Sequence, residues 1–406
     1  MTIPPNPSTP PSIQWTVAEA TPKAGLLALS FTAIMALPVA SSAQTPDDIT
    51  DMLLVTGQSN VQGSQTAYDA AIDTVDPRVF AFTSSGNWEV ADLHQAWDVN
   101  NWHPGNGSIA DPTKQPYNHF AFHAARTIVQ QDPSRVVGIV EASAPGEGIK
   151  HWDPCSPFSE TLANKAQAAL AAQTGKNYFD GILWHQGETD WQVSGTSDVD
   201  ASAKEKSYEQ YYPEKLANLI QNFRDQSWFG ANRPFICGET SQAPVNARLN
   251  ELNTDLSEWT ACVAGSDLST RDGTHFDAPG LRELGKRYGE AYLQMQSTAS
   301  YDLVLPEVAI TSPPIDGTTQ PPYAIYSGTT SDTDSGVAMV RAALLDNNSG
   351  QWFNFIDEEF GECFSSIRTD LVDVGANATE WSVGASLPIG DYTISVQAVD
   401  KAGNSK

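Results

Sequence analysis

The sequence predicts an α/β fold, a mostly parallel sheet covered by helices on both faces, followed by a small all-β sandwich. Three observations predict it. From Asp51 to about Ser300, short apolar runs alternate with amphipathic helical periods, the pattern that builds parallel sheets from strand–helix–strand units. After Ser300 the texture changes: Pro306, Pro313, Pro314, Pro321 and Pro322 punctuate the chain, and no long helical period follows. Short alternating apolar runs between turns rich in Asp, Ser, Asn and Gly take over, as in a sandwich of about 100 residues.

In chain order, Lys23 precedes an uncharged, mostly apolar run over 24–37, then Pro38 and the small residues Val39-Ala40-Ser41-Ser42-Ala43. This is the layout of a secretory signal over 1–43, with cleavage expected after Ala43 and a secreted or periplasmic location. The run is short for a membrane span, so no span is expected once it is removed. Residues 1–22 form an unusually long, Pro-rich leader, consistent with a start codon assigned too early.

The α/β region is expected over 51–299. Its strand-like runs are 52–56, 78–82, 136–140, 179–184, 234–238 and 260–264, and its helical runs are 117–131, 159–173, 204–224 and 279–295. In the last of these, Leu281, Leu284, Tyr288, Ala291 and Met295 recur at three- and four-residue steps and mark one buried face. The sandwich is expected over 306–406, with strands at 308–310, 337–344, 351–355 and 392–399. Ending at Lys406 directly after its last run, the chain reads as a candidate fragment of a longer protein. The segments Ser331-Asp332-Thr333-Asp334-Ser335-Gly336 and Gln397-Ala398-Val399-Asp400-Lys401-Ala402-Gly403-Asn404 resemble the immunoglobulin-like modules of secreted bacterial proteins. The Asp332/Asp334 pair is a candidate for one calcium ion, with a solvated turn as the favoured alternative.

Charge excludes some partners. With 22 Lys+Arg against 49 Asp+Glu, the net charge is −27, which argues against nucleic acid and anionic membrane surfaces. The 4 cysteines permit disulfides without making a disulfide scaffold. Cys237 and Cys262 fall in neighbouring strand-like runs and are the candidate pair, while Cys155 lies in a loop and Cys363 stands alone in the second region. No Cys/His spacing resembles a zinc site, no glycine-rich phosphate loop occurs, and the His119/His123 pair lacks a third ligand. No cofactor or metal is expected.

The chemistry gathers around Leu53-Leu54-Val55-Thr56-Gly57-Gln58-Ser59-Asn60. A strand that ends in glycine and hands over a hydroxyl at its carboxyl edge is where open α/β sheets place their sites. On this octapeptide alone, a capping serine is as good a reading as a nucleophile. A serine needs a base. Among the 7 histidines only His275 has an acid three residues upstream on a compact turn, in Arg271-Asp272-Gly273-Thr274-His275. That spacing lets Asp272 orient one ring nitrogen while the other faces outward, the division of labour in a Ser-His-Asp array.

Two further strand ends carry polar residues. Gly181-Ile182-Leu183-Trp184-His185-Gln186-Gly187-Glu188 offers the Gln186 amide as an oxyanion donor, with His185 and Glu188 bracing. Glu141-Ala142-Ser143-Ala144-Pro145-Gly146-Glu147-Gly148 offers the Gly146 N–H to the same oxyanion, a plain flexible loop being the alternative. Trp152 and Trp191 flank these segments as candidate sugar contacts, Trp191 the better one, whereas Trp184 ends a buried strand and reads as core.

Together these segments resemble the SGNH/GDSL-type hydrolases, in their sialate O-acetylesterase and acetylxylan-esterase-like carbohydrate esterase branch. That branch carries Gly-Gln-Ser-Asn, His-Gln-Gly-Glu and Asp-x-x-His in this order, here Gly57-Gln58-Ser59-Asn60, His185-Gln186-Gly187-Glu188 and Asp272-Gly273-Thr274-His275. The resemblance covers about 51–298 and implies a three-layer α/β/α, flavodoxin-like sheet. It also implies a metal-independent serine esterase acting on acetylated carbohydrate through an acetyl-enzyme. Ser59 would be the nucleophile, His275 the base and Asp272 its orienter. The Ser59 N–H, the Gly146 N–H and Gln186 would form the oxyanion hole, with Gln58 and Asn60 supporting. One departure is Pro145-Gly146-Glu147-Gly148 where the branch usually has Gly-Gly-x-Ser, which alters the loop beside the acyl pocket. Rival readings are an inactive carbohydrate-binding or adhesion protein and a glycosidase using Glu188 with a second acid. No Gly-x-Ser-x-Gly elbow supports a lipase.

Overall fold

The computed structural model describes residues 43–63, 66, 68–93, 118–192, 208–242, 245–250, 259–313, 323–355 and 358–406. The signal expected over 1–43 thus lies, except for its final residue, outside the described residues. Among those described, no helix is long and apolar enough to cross a membrane.

The first region is built from β1 (Asp51–Gly57), β2 (Val79–Phe82), β3 (Trp88–Val90), α1 (Phe120–Gln131), β4 (Val137–Ser143) and α2 (Pro157–Ala171). It continues with β5 (Gly181–His185), α3 (Glu188–Gln192), α4 (Tyr208–Arg224), β6 (Phe235–Gly238), β7 (Thr260–Val263) and α5 (Ala278–Thr298). The strands form one seven-stranded sheet in the order β3-β2-β4-β1-β5-β6-β7. Every neighbouring pair is parallel except β2 with β3. All seven residues of β1 are buried. Because strand side chains alternate, Met52 and Leu54 join one core with Phe158 and Leu162 of α2 and Leu216 and Ile220 of α4. Leu53 and Val55 join the other with Phe120 and Ile128 of α1 and Leu281 and Leu284 of α5. Two cores, one per face, make three layers, as expected. Each such fully buried aliphatic side chain contributes about 1.5–3 kcal/mol.

Helix starts are set by caps. Helix α2 begins at Pro157, two residues before the predicted start, because Ser156 accepts the Ser159 N–H at 3.0 Å and proline at the first helical position has its φ preset. Asp277 caps α5 by accepting from Gly280 N at 2.9 Å. α1 and α5 cross closely through Gly285 and Gly289. A Cβ at Gly285 would lie 2.2 Å from Phe120 O, so only glycine admits this approach.

The second region is all-antiparallel. Its strands are β8 (Glu307–Ser312), β9 (Tyr323–Ser331), β10 (Val337–Asp346), β11 (Trp352–Asn354), β12 (Glu359–Gly361), β13 (Ile367–Arg368), β14 (Asp370–Leu371), β15 (Ala378–Ser386) and β16 (Tyr392–Asp400). One sheet runs β12-β11-β10-β13 with β16 also on β10, and the other β14-β15-β9-β8. Tyr326, Trp381 and Val383 from the latter pack with Val340, Phe353 and Ala398 from the former. This sandwich docks on α4: Arg341 bonds Asn222 Oδ1 at 2.8 Å and pairs with Asp225, and Arg368 pairs with Glu214 at 2.6 Å.

The cysteines differ from expectation. Cys155 bonds Cys363, with Cα atoms 5.5 Å apart and 208 residues between them in sequence, whereas Cys237 and Cys262 are free. Cys237 and Cys262 are register partners on the parallel strands β6 and β7. Such partners stand side by side at the strand spacing of about 4.8 Å, wider than the roughly 3.5–4.5 Å between Cβ atoms that a disulfide needs. Burial also pushes the Cys237 thiol far up, away from reactivity.

Candidate active site

The site begins where β1 stops. Gly57 has φ 145°, and a Cβ there would lie 2.0 Å from His185 O. Only glycine permits this approach. The chain then turns, with Gln58 N donating to His185 O at 3.0 Å and Val61 N to Gln58 O at 2.9 Å. Ser59 emerges on this turn, at the carboxyl edge of the central strand.

The turn after β7 comes to meet it. Ser59 Oγ lies 2.9 Å from His275 Nε2, and His275 Nδ1 lies 2.8 Å from Asp272 Oδ2. Asp272 Oδ1 accepts from His275 N at 2.8 Å and Thr274 N at 3.0 Å. Its slight burial opposes ionisation, but the N–H and ring of His275 and the Thr274 N–H outweigh this and hold the carboxyl down at about 2. A charged Asp272 accepts a hydrogen bond from Nδ1–H and so keeps the proton on Nδ1, which leaves the Nε2 lone pair for the Ser59 hydroxyl. That chain of bonds can draw a proton from serine as it attacks a carbonyl.

Asn60, one residue on, is buried and fully engaged. Its Nδ2 donates to Glu188 Oε1 at 2.7 Å and Thr274 O at 3.2 Å, and its Oδ1 accepts from Phe276 N at 3.1 Å. It thereby grips both neighbours of His275. Gln58 Oε1 accepts from Gly187 N and Thr189 N, each at 3.4 Å. His185 Nε2 stands 3.4 Å from Glu188 Oε1, and its Nδ1 is 3.3 Å from the Tyr288 hydroxyl, which donates to Trp184 O at 2.6 Å. Burial opposes the Glu188 charge, but His185 and Asn60 outweigh it and hold its carboxyl below the ordinary glutamate range. His185 and Glu188 therefore sit beneath the turns as braces.

Two expected roles need correction. Gln186 is fully buried, and its amide nitrogen donates to Asp190 Oδ2 and, at 3.3 Å, to Glu147 O. Both of its hydrogens are thus used, and the Tyr212 hydroxyl sits 2.8 Å from its Oε1. In this arrangement Gln186 ties the loop after β4 to α3 instead of offering a free donor. Trp152 is 2% exposed; its Nε1 donates to Thr56 Oγ1 at 2.8 Å, and its ring packs on Phe158 and Trp184. It is core, not a sugar platform. Trp184 is core as well, and Trp191 is half-buried against the same cluster.

Gly146 lies at the exposed tip of the turn after β4, with φ 79°. That turn is fastened beside β1 by Ala144 N donating to Gly57 O at 2.9 Å. His119 and His123 do not converge: His119 Nε2 bonds Glu141 Oε2 at 2.6 Å, and His123 Nε2 bonds Asn118 Oδ1 at 2.6 Å. Asp190 was not singled out by the sequence reading. It is buried, pushed up to about 6 by burial, and accepts from Ile149 N at 3.0 Å as well as from Gln186. Its position four residues after Gln186 across the β5–α3 turn is the only signal that pointed to it.

A three-layer fold thus carries a Ser59–His275–Asp272 chain of hydrogen bonds at the carboxyl edge of its sheet. The chain belongs to the carbohydrate esterase family described as sialic acid-specific acetylesterase, whose model matches residues 49–294. Among solved structures it is similar to a protein from Arabidopsis thaliana (19% identity, covering 60% of this chain and 98% of that one, TM-score 0.44). It is also similar to NanS (16%, 62% and 98%, 0.44). A third likeness is to a carbohydrate acetylesterase from Xanthomonas citri (14%, 86% and 74%, 0.40).

Proposed function

We propose that the protein is a secreted serine esterase that removes O-acetyl groups from a carbohydrate through an acetyl-enzyme intermediate. The observation that carries this reading is the 2.9 Å contact between Ser59 Oγ and His275 Nε2, with Asp272 behind the ring. Ser59 Oγ attacks the ester carbonyl carbon as its proton passes to His275 Nε2. The tetrahedral oxyanion is held by the N–H groups of Ser59 and Gly146. His275 then returns the proton to the departing sugar alkoxide, leaving acetyl-Ser59. Water attacks the acetyl carbon as its proton passes to His275 Nε2. His275 then returns that proton to Ser59 Oγ as the acyl C–O bond breaks, releasing acetic acid, which ionises to acetate, and restoring free Ser59. The expected signal over 1–43 supports export, and we read the sandwich as an immunoglobulin-like module attached to the esterase.

The glycosidase reading is disfavoured by Glu188, which is wholly buried and bonded to Asn60, because an acid or nucleophile must face a cleft. The experiment that tests the proposal is acetate release from acetylated xylan, acetylated sialic acid and acetylated monosaccharides, together with aryl esters of increasing chain length. Acetate release from at least one carbohydrate, with aryl acetates cleaved faster than longer esters, is expected. Binding of an acetylated glycan without acetate release would overturn it in favour of the binding-protein reading.

A further inference from the structure

Three buried carboxylates meet where the sandwich joins the α/β region, on residues that take no part in the Ser59 chain. Asp302 lies between α5 and β8, Asp332 directly follows β9, and Asp400 ends β16. All are at most 3% exposed, and one carboxylate oxygen from each lies within 4.8 Å of the other two. Carboxylates this close and this dry repel one another strongly unless a counter-charge joins them or one of them takes up a proton. Among the described residues none of the three forms a salt bridge with Lys, Arg or His. Arg224 acts on Asp400 at longer range from behind Gly403, but its Nη2 donates to Trp259 O and Thr260 Oγ1. One distant positive charge does not balance three carboxylates.

Asp332 supplies the second observation. Its Oδ1 accepts from Asp334 N at 3.0 Å and Gly336 N at 2.8 Å, whereas its buried Oδ2 has no hydrogen-bond partner. Ser335 Oγ is likewise buried without a partner, on a residue whose N–H donates to Asp302 Oδ2 at 3.1 Å. A buried polar atom left unbonded is destabilising, more so when charged, and calls for a partner that protein atoms do not supply.

We infer that Asp302, Asp332 and Asp400 bind one divalent cation of the calcium class. The donors are all oxygens, which suits a hard cation and not zinc with its preference for nitrogen and sulfur. Three carboxylate oxygens within 4.8 Å of one another can converge on one ion at the roughly 2.3–2.6 Å that calcium takes, in a coordination shell more tolerant of irregular geometry than magnesium's. The cation fastens three chain segments at one point. Asp302 is itself pinned to the α/β region, its carbonyl accepting from Asn232 Nδ2 at 2.8 Å and its N–H donating to Asn232 Oδ1 at 3.0 Å. Asn404 Nδ2, from the turn after β16, donates to the same carbonyl at 2.9 Å. The ion is thus a structural joint between the regions.

The test is calorimetric titration of calcium chloride into the full chain after treatment with EGTA and desalting, with thermal unfolding followed in parallel. One saturable site and an unfolding temperature that rises with calcium are expected. Asp332→Asn keeps the Oδ1 acceptor and removes the charge, and should weaken binding at least about tenfold. Asp334→Asn, at an exposed neighbour, should leave it unchanged. A stripped wild type without a saturable site overturns the inference. Equal weakening by both variants does so too, since that reports only the field of an acidic surface. Should Asp332→Asn fail to fold, anomalous scattering from wild-type crystals grown with calcium decides, with a peak between the three carboxylates supporting the site and its absence there overturning it.

Discussion

Asn60 Nδ2 donates to Glu188 Oε1 at 2.7 Å, and the same nitrogen reaches Thr274 O at 3.2 Å. One buried amide therefore joins the turns that follow β1, β5 and β7, and with Phe276 N on its Oδ1 it holds His275 from both sides. The junction thus fastens the turn that carries Ser59 to the turn that carries His275.

Asn60→Ala should lower kcat by about 10–100-fold with KM little changed, because the bonds it removes position His275 without touching the acyl group. It should also cost about 1–3 kcal/mol, since it strips a partner from buried Glu188. Steady-state hydrolysis of an aryl acetate and urea unfolding check both. Unchanged kcat would show that the turns hold without it.

Asp272→Asn should be more damaging. The amide cannot accept the Nδ1 proton in the way a carboxylate held at about 2 does, so the ring loses the tautomer that faces Ser59 with a lone pair. A fall in kcat on the order of 10³–10⁴ is expected, with the fold retained.

Trp152→Ala should act on stability. Its ring is packed between Phe158 and Trp184, and removing it should cost about 3–5 kcal/mol. Fluorescence-monitored unfolding should show this loss, while KM for an acetylated sugar, measured where the variant is folded, should stay near that of the wild type. A large KM increase with unchanged stability would return Trp152 to the sugar site.

His123 gives the chain a pH dependence. Burial, with a smaller push from Arg126 and Arg282 and an opposing pull from Asp73, lowers it from 6.5 to about 3. Between those values the unfolded chain binds the proton and the folded chain does not. This stability is thus complete above about pH 6.5 and is lost progressively as pH falls toward about 3. Urea midpoints should fall across that window, and less steeply in His123→Gln.

The α/β region was legible because its strands are short apolar runs ending in polar turns. The Gly57–Asn60 turn, the His185–Glu188 turn and the Asp272–His275 turn each carry their own local signal. What escaped was of two kinds. β3 is only three residues on an edge, and β9 and β15 are rich in Ser, Thr and Gly, so their alternation rests on few apolar residues, such as Trp381, Val383 and Ala385 in β15. Long-range partners escaped as well. The Cys155–Cys363 bond, the Trp152–Thr56 bond and the Asp302–Asp332–Asp400 cluster join residues far apart in sequence. Gln186 was misread for a related reason: its amide looks available until Asp190 folds back on it.

The central claim is tested most directly by Ser59→Ala. Purified wild-type protein and the variant should give the same near-ultraviolet circular dichroism, with aryl acetate hydrolysis reduced in the variant to the rate of buffer alone. Hydrolysis retained by a correctly folded Ser59→Ala protein would contradict the account.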